Sequence, residues 1–263
     1  MSIKIAIDAG HGRYTSGKRC LKSIDKNETR EWVLNSRIAE KVCKLLKQYE
    51  CETKRVDDVS GKTDVSLSER CRQSNLWNAH FYLSIHHNAG INGGSGGGTE
   101  IFALKGATAA TRAKRDAIYE GVIAKTGLKG NRSAPRATAN FYVLRETDAP
   151  AVLIECGYMD STHDTPIILG EEFADQCAHG IVDGLVKALK LKKCYDGDAL
   201  PYQVQVAVDE LNVRSGAGVS YDVLQTVARG EAFTITEVKA GTWGKLKSGI
   251  GWINIGREYC EMV

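Results

Sequence analysis

Apolar and polar positions alternate over residues 3–8, where Ile3, Ile5 and Ile7 lead into Asp8. A period of two predicts a strand with one buried face. Over residues 31–48 the period lengthens. Leu34, Ile38, Val42 and Leu45 recur at helical spacing and predict an amphipathic helix. A short strand at 52–56 and a helical stretch at 66–79 follow. Residues 80–88, HFYLSIHHN, form an apolar run of strand length. The glycine-rich NGGSGGGTE (92–100) reads as a loop that leads into a strand from Glu100 to Leu104. A helix over 108–126, short strands near 141–144 and 151–155, and a long amphipathic helix over 171–190 complete this part. Strands alternating with helices predict an α/β fold, a layered and mainly parallel sheet flanked by helices.

The pattern breaks after Leu191. The run LKKCYDGDALPY combines charge, turn-forming residues and one of only four prolines, and it reads as a linker over 192–201. Beyond it the helical period vanishes. Segments such as AFTITEVKA and GWINIG are short, β-branched and separated by glycines, which predicts a small all-β module at 202–263 after a first domain at 1–191.

Composition changes this picture little. At 263 residues the chain is long enough to bury a core without covalent staples. A net charge of +3 suits an anionic partner such as a cell wall but is too small to argue for nucleic acid. No apolar run approaches the ~18 residues of a membrane span, so membrane insertion is not expected. The start, MSIKIAIDAGHG, goes straight into a strand without the pattern of a secretory leader. Eight cysteines are scattered without any C-x-x-C, and Cys43 and Cys177 fall on apolar helical faces. Synthesis in a reducing compartment is therefore expected, without a disulfide framework.

Candidate chemistry gathers at the ends of these elements. His11 follows the first strand between Gly10 and Gly12, at the edge where open α/β sheets place ligands. In SIHHN, strand alternation sends His86 and His87 to opposite faces, so the pair does not readily share one ion. His86, on the face of Ser84 and Asn88, is the favoured one. A catalytic zinc site takes a third protein ligand and leaves a fourth position to water. Glu31 shares the inward helical face of Leu34 and Ile38, and an inward carboxylate is costly unless a cation meets it. Glu28, before the helix, is its competitor. Finally, the apolar strand Ala151–Ile154 runs into Glu155, an acid placed for proton transfer.

These residues resemble the zinc-dependent N-acetylmuramoyl-L-alanine amidases of the Amidase_3 type. The matching stretches are IAIDAGHG, EWVLN, LSIHHNA and VLRETDAPAVLIECGYMD, in that order, over about residues 3–190. The resemblance implies zinc held by His11, Glu31 and His86, with Glu155 catalytic. It thereby selects Glu31 over Glu28 and His86 over His87. Two departures stand out: His87 where the family usually has a small residue, assigned a supporting or surface role, and Tyr158 where phenylalanine is frequent. The tail, with LNVRSG and a closing GWI, is similar to bacterial SH3-type wall-binding domains. There Leu211, Val213, Val223, Phe233, Ile235, Trp243 and Trp252 are candidate core residues.

The whole resembles a phage endolysin, or a related autolysin, of a Gram-positive host. The implied partner is peptidoglycan, and the implied reaction is hydrolysis of the amide between N-acetylmuramic acid and L-alanine. The chain is expected to be made in the bacterial cytoplasm without a signal peptide and to act on the wall after release. Asp8, Ser84 and Asn88 are expected to orient the ligands. Arg132 and Arg136, in the polar stretch GNRSAPRATAN, are expected to meet stem-peptide carboxylates at the rim of the groove. Rival readings are a catalytically dead wall-binding protein and a zinc peptidase cutting within the stem peptide. The latter relies on an H-x-H pair that the sequence lacks. The sequence leaves the oligomeric state open.

Overall fold

A computed structural model describes residues 2–193, 200–239, 242–256 and 258–263. Residues 194–199 of the expected linker lie outside the described residues. The chain divides into two compact units, Met1–Cys194 and Tyr195–Val263.

In the first unit the elements run β1 (Ile3–Ala9), α1 (Glu31–Leu46), β2 (Cys51–Arg55), α2 (Leu67–Leu76), β3 (Phe81–Asn88), β4 (Glu100–Leu104) and α3 (Ala109–Thr126). They continue with β5 (Arg136–Ala139), α4 (Tyr142–Arg145), β6 (Ala151–Tyr158), α5 (Asp164–Ile168) and α6 (Glu171–Leu189). The strands form one six-stranded sheet in the order β2-β1-β3-β6-β4-β5. The first four are parallel, β4 runs antiparallel to β6, and β5 is parallel to β4. The mainly parallel α/β sheet expected from the sequence is the observed one.

Strand alternation sorts the side chains into two faces. Ile5, Ile7, Phe81, Leu83, Ile85, Val152 and Ile154 join the apolar stripes of α1, α3 and α6 in the main core. Ala6, Tyr82, Ala151 and Leu153 face the other way, against Cys71 of α2 and Val143 and Leu144 of α4. In α1 the buried stripe is Leu34, Ile38, Val42 and Leu46, with Leu46 rather than Leu45 fully buried. At about 1.5–3 kcal/mol for each such side chain, this stripe fixes the rotation of α1 and so the direction of Glu31. The start of the helix is tied down as well, because Glu31 N–H donates to Lys18 O at 3.0 Å.

The structure departs from the sequence reading in several places. Residues 142–145 form a helical turn, not a strand. A strand, β5, emerges from the polar RATA in a stretch read as groove rim. β3 and β6 also continue past His86 and Glu155, so neither residue terminates its strand.

The second unit contains β7 (Tyr202–Val206), β8 (Glu210–Arg214), β9 (Val223–Ala228), β10 (Ala232–Lys239), β11 (Trp243–Leu246), β12 (Trp252–Asn254) and β13 (Cys260–Met262). They form a seven-stranded sheet, antiparallel in every pairing among the described residues. Leu211, Val213, Ile235, Trp243 and Trp252 are buried, as expected for core positions, and Phe233 is half-buried. Val223 is not a core residue. It lies on the edge strand β9 and is exposed. Among the described residues no helix is long and apolar enough to cross a membrane.

Candidate metal centre

His11, Glu31 and His86 converge from three elements: the turn after β1, the first residue of α1 and the C-terminal part of β3. One ligand atom from each lies within 4.8 Å of the others. Glu31 Oε1 is 3.0 Å from His86 Nδ1, and Glu31 Oε2 is 3.4 Å from His11 Nε2. The imidazole rings meet edge to face, with centroids 5.0 Å apart.

The D-A-G-H-G turn has a steric reason. A Cβ on Gly10 would sit 2.0 Å from the His86 ring, so only glycine lets that ring lie against the β1 turn. His11 itself has φ +66°, a left-handed conformation that costs a non-glycine residue energy and persists when the surroundings impose it. Here the buried guanidinium of Arg70 donates to His11 O at 2.9 Å and to Ala9 O at 2.7 Å.

The donor set fits a cation. Glu31 is almost wholly buried, and its Oε2 accepts no hydrogen bond. Beside this oxygen stand His11 Nε2 at 3.4 Å and Lys18 Nζ at 3.6 Å. Two imidazoles and one carboxylate form a ligand set typical of catalytic zinc, with a fourth position left for water. Burial would raise the Glu31 carboxyl, but the hydrogen bond and charge of His86, with His11 and Lys18, hold it at about 2. Burial lowers His11 to about 4. His86 also loses basicity through burial, yet the Glu31 carboxylate more than restores it and the ring is raised above 6.5.

These shifts predict how metal affinity follows pH. Between pH 4.5 and 6.5, His11 and Glu31 are already deprotonated in the metal-free protein, whereas His86 carries a proton that an ion must displace. Affinity should therefore rise about tenfold per pH unit across this window and level off only where His86 itself loses its proton, at a pH above 6.5. Competition with a chromogenic chelator measures the slope. A slope of two would mean that both histidines titrate there.

Glu155 is in register with His86 on the neighbouring strand, on the same face of the sheet. Its Oε2 is buried without a hydrogen-bond partner, and burial pushes the carboxyl up to about 8. Glu28 stands apart, paired with Arg19 at 3.2 Å and Lys22 at 3.8 Å.

The residues expected to orient the ligands are placed differently. Asp8 and Ser84 bond each other at 2.7 Å, and Asp8 pairs with Arg70. Asp8 thus holds the arginine that braces the His11 turn, and neither it nor Ser84 hydrogen-bonds a ligand ring. Asn88 donates to Glu100 at 3.1 Å, not to a ligand. The direct support comes from Asn35 and His87. Asn35 Nδ2 reaches Gly10 O at 3.1 Å and Glu31 Oε1 at 3.4 Å. His87 is not at the surface. It is buried, its Nδ1 is 2.8 Å from Asn35 Oδ1, and its backbone N–H donates to Glu31 Oε1 at 3.3 Å. Burial lowers its ring to about 3, so it stays neutral.

Arg132 pairs with Glu100 of β4 at 3.3 Å. Arg136 pairs with Glu120 at 3.7 Å and lies over Tyr119, on the outermost strand β5. The sequence reading missed Asn35, Arg70 and Glu100. Asn35 had a visible signal, since it follows Leu34 on the inward face one helical turn after Glu31.

A cavity of about 350 Å³ opens beside the ligands, lined by Gly10, His11, His86, Arg70, Asp64 and Leu67 among others.

The family model Amidase_3, described as N-acetylmuramoyl-L-alanine amidase, matches residues 5–187. A second model, described as bacterial SH3 domain, matches residues 209–259. The chain is 35% identical to the N-acetylmuramoyl-L-alanine amidase CwlM of Bacillus licheniformis over 205 residues, 78% of this chain and 75% of the relative. It is 29% identical to the endolysin of Bacillus phage SPP1, covering 76% of this chain and 70% of that one. Among solved structures, an N-acetylmuramoyl-L-alanine amidase from Clostridium difficile 630 superposes with a TM-score of 0.64 at 29% identity. That match covers 72% of this chain and 97% of the other.

Proposed function

The chain belongs to the N-acetylmuramoyl-L-alanine amidase family, and we propose that it cleaves peptidoglycan between the lactyl group of N-acetylmuramic acid and the L-alanine of the stem peptide. The observation that carries this reading is the cluster of three ligand atoms within 4.8 Å of one another, with Glu155 beside His86.

His11, Glu31 and His86 would hold zinc. Bound there, zinc would supply Lewis acidity to the scissile carbonyl and lower the pKa of a water toward neutrality. Glu155 handles the proton. Its carboxylate takes the proton of the attacking water and returns it to the departing alanine nitrogen. In the metal-free protein burial pushes this carboxyl up to about 8, which makes it more basic than an exposed glutamate and suited to both taking and returning a proton. Asn35 and His87 keep the Glu31 carboxylate aimed at the two rings.

The match of residues 209–259 to the bacterial SH3 domain supports attachment of the second unit to the wall. Relatives from Bacillus and one of its phages support a Gram-positive wall as the target; a lytic role after release from the producing cell is part of the same proposal. The test is mass spectrometry of digested wall. New N-terminal L-alanine and intact glycan chains support the reading; cuts within the stem peptide, or no cuts, refute it.

A further inference from the structure

A second cluster is built one strand beyond Glu155. β4 runs antiparallel to β6, and Glu100 is the direct partner of Glu155. Opposed residues share a face, so His86, Glu155 and Glu100 form a row across β3, β6 and β4. Glu100 is 5% exposed and both its oxygens are engaged. Oε2 accepts from Asn88 Nδ2 at 3.1 Å and from the Tyr158 hydroxyl, while Oε1 accepts from Arg132 Nε at 3.3 Å. The Arg132 guanidinium also lies over the Tyr158 ring, 5.8 Å from its centroid.

Arg132 is committed through Nε alone. Its two terminal amino groups have no partner among the described residues, and the side chain is 45% exposed. The segment that carries it is locked. A Cβ on Gly130 would lie 1.9 Å from Gly97 O, and one on Gly98 would lie 2.4 Å from Gly130 Cα, so the two loops touch backbone to backbone. Asn131 Oδ1 accepts from Gly97 N–H at 3.1 Å, and the buried Asp164 accepts from Gly98 N–H at 2.6 Å. Arg136 offers no such fork, because its Nη1 is turned to Glu120.

A fixed guanidinium with two free amino groups suits a bidentate oxyanion, a carboxylate or a phosphate. In the substrate of the proposed reaction, the lactyl carboxyl is consumed in the scissile amide, so free carboxylates lie on the peptide. The peptide leaves on the side of Glu155, which protonates its nitrogen. Adjacent strands are about 4.8 Å apart, so Glu100, which holds Arg132, stands one strand spacing from Glu155. One or two extended residues, at about 3.3–3.6 Å each, span that gap.

We propose that Arg132 binds a free carboxylate on the residue following the stem-peptide alanine, and that Glu100 and Tyr158 are positioning residues that hold its fork. This inference rests on the amidase reading.

The experiment compares two synthetic muropeptides that differ only at that residue, one with a free α-carboxylate and one with a carboxamide. The wild type should prefer the acid by about ten- to hundredfold in kcat/KM, mostly through KM. Arg132→Ala should cleave both at the same low efficiency, Arg132→Lys should keep part of the preference, and Tyr158→Phe should reduce it. The preference is a ratio within one protein, so partial unfolding of a variant cancels. Equal cleavage by the wild type, or an unchanged preference in Arg132→Ala, overturns the assignment while leaving the amidase reading intact. Failure to release free N-terminal alanine from either muropeptide overturns both.

Discussion

Replacing Glu155 by glutamine is expected to lower kcat for wall hydrolysis by about 10²–10⁴-fold, the usual contribution of a positioned acid–base group. Glutamine keeps the shape of the side chain but cannot take a proton from water or return one to the alanine nitrogen. Metal content should stay at the wild-type level, because Glu155 is not among the three clustered ligands. The stability of the metal-free protein should move the opposite way. Glu155 is pushed from 4.5 up to about 8 by burial, so the folded state favours its protonated form. Stability from this group is therefore complete below pH 4.5 and is lost as pH rises toward 8. Glutamine does not titrate, so by pH 7 the metal-free variant should be the more stable protein, on the order of 3 kcal/mol. Urea unfolding of both proteins at pH 5 and pH 7 measures this. A variant that lyses walls at the normal rate would refute the assigned role.

Glu31→Ala is expected to abolish metal binding at micromolar concentration and to reduce lysis to the level of chelated wild type. The loss goes beyond one ligand. Glu31 Oε1 also accepts from Asn35 and from the His87 backbone, and it keeps Lys18, His11 and His86 together. Without the carboxylate, three positive or polarised groups face one another across a buried gap, and His86 loses the partner that raises it. Added zinc should restore the chelated wild type and leave the variant inactive. Glu28→Ala is the internal control. Glu28 forms ion pairs with partly exposed Arg19 and Lys22, so its removal should change stability by no more than about 1 kcal/mol and leave metal binding unaltered.

The alternation of Ile3, Ile5 and Ile7 and the stripe of α1 were readable because one buried face imposes a period on the chain. The glycines flanking His11 were readable as a sharp turn with room around an imidazole, and at Gly10 that room is taken by the His86 ring. Other features depend on partners far away in sequence. Asp8 was expected to orient a ligand; it serves Arg70, 62 residues on, and no local pattern announces such a pair. The segment FYVL gave a strand reading because four apolar residues fit either period, and tertiary packing against α2 made it helical. β5 was hidden for the opposite reason: RATA is an edge strand with two exposed positions, so burial wrote no apolar run into it. The reversal of β4, which places Glu100 beside Glu155, also has no signature in local sequence.

Everything proposed for the site depends on one ion bound among His11, Glu31 and His86. Anomalous diffraction at the zinc edge, from crystals of active enzyme, addresses it directly. One strong peak per chain is expected at about 2.0–2.2 Å from an imidazole nitrogen of each histidine and a Glu31 oxygen. A peak bound elsewhere, or none in enzyme that retains full activity, would contradict it.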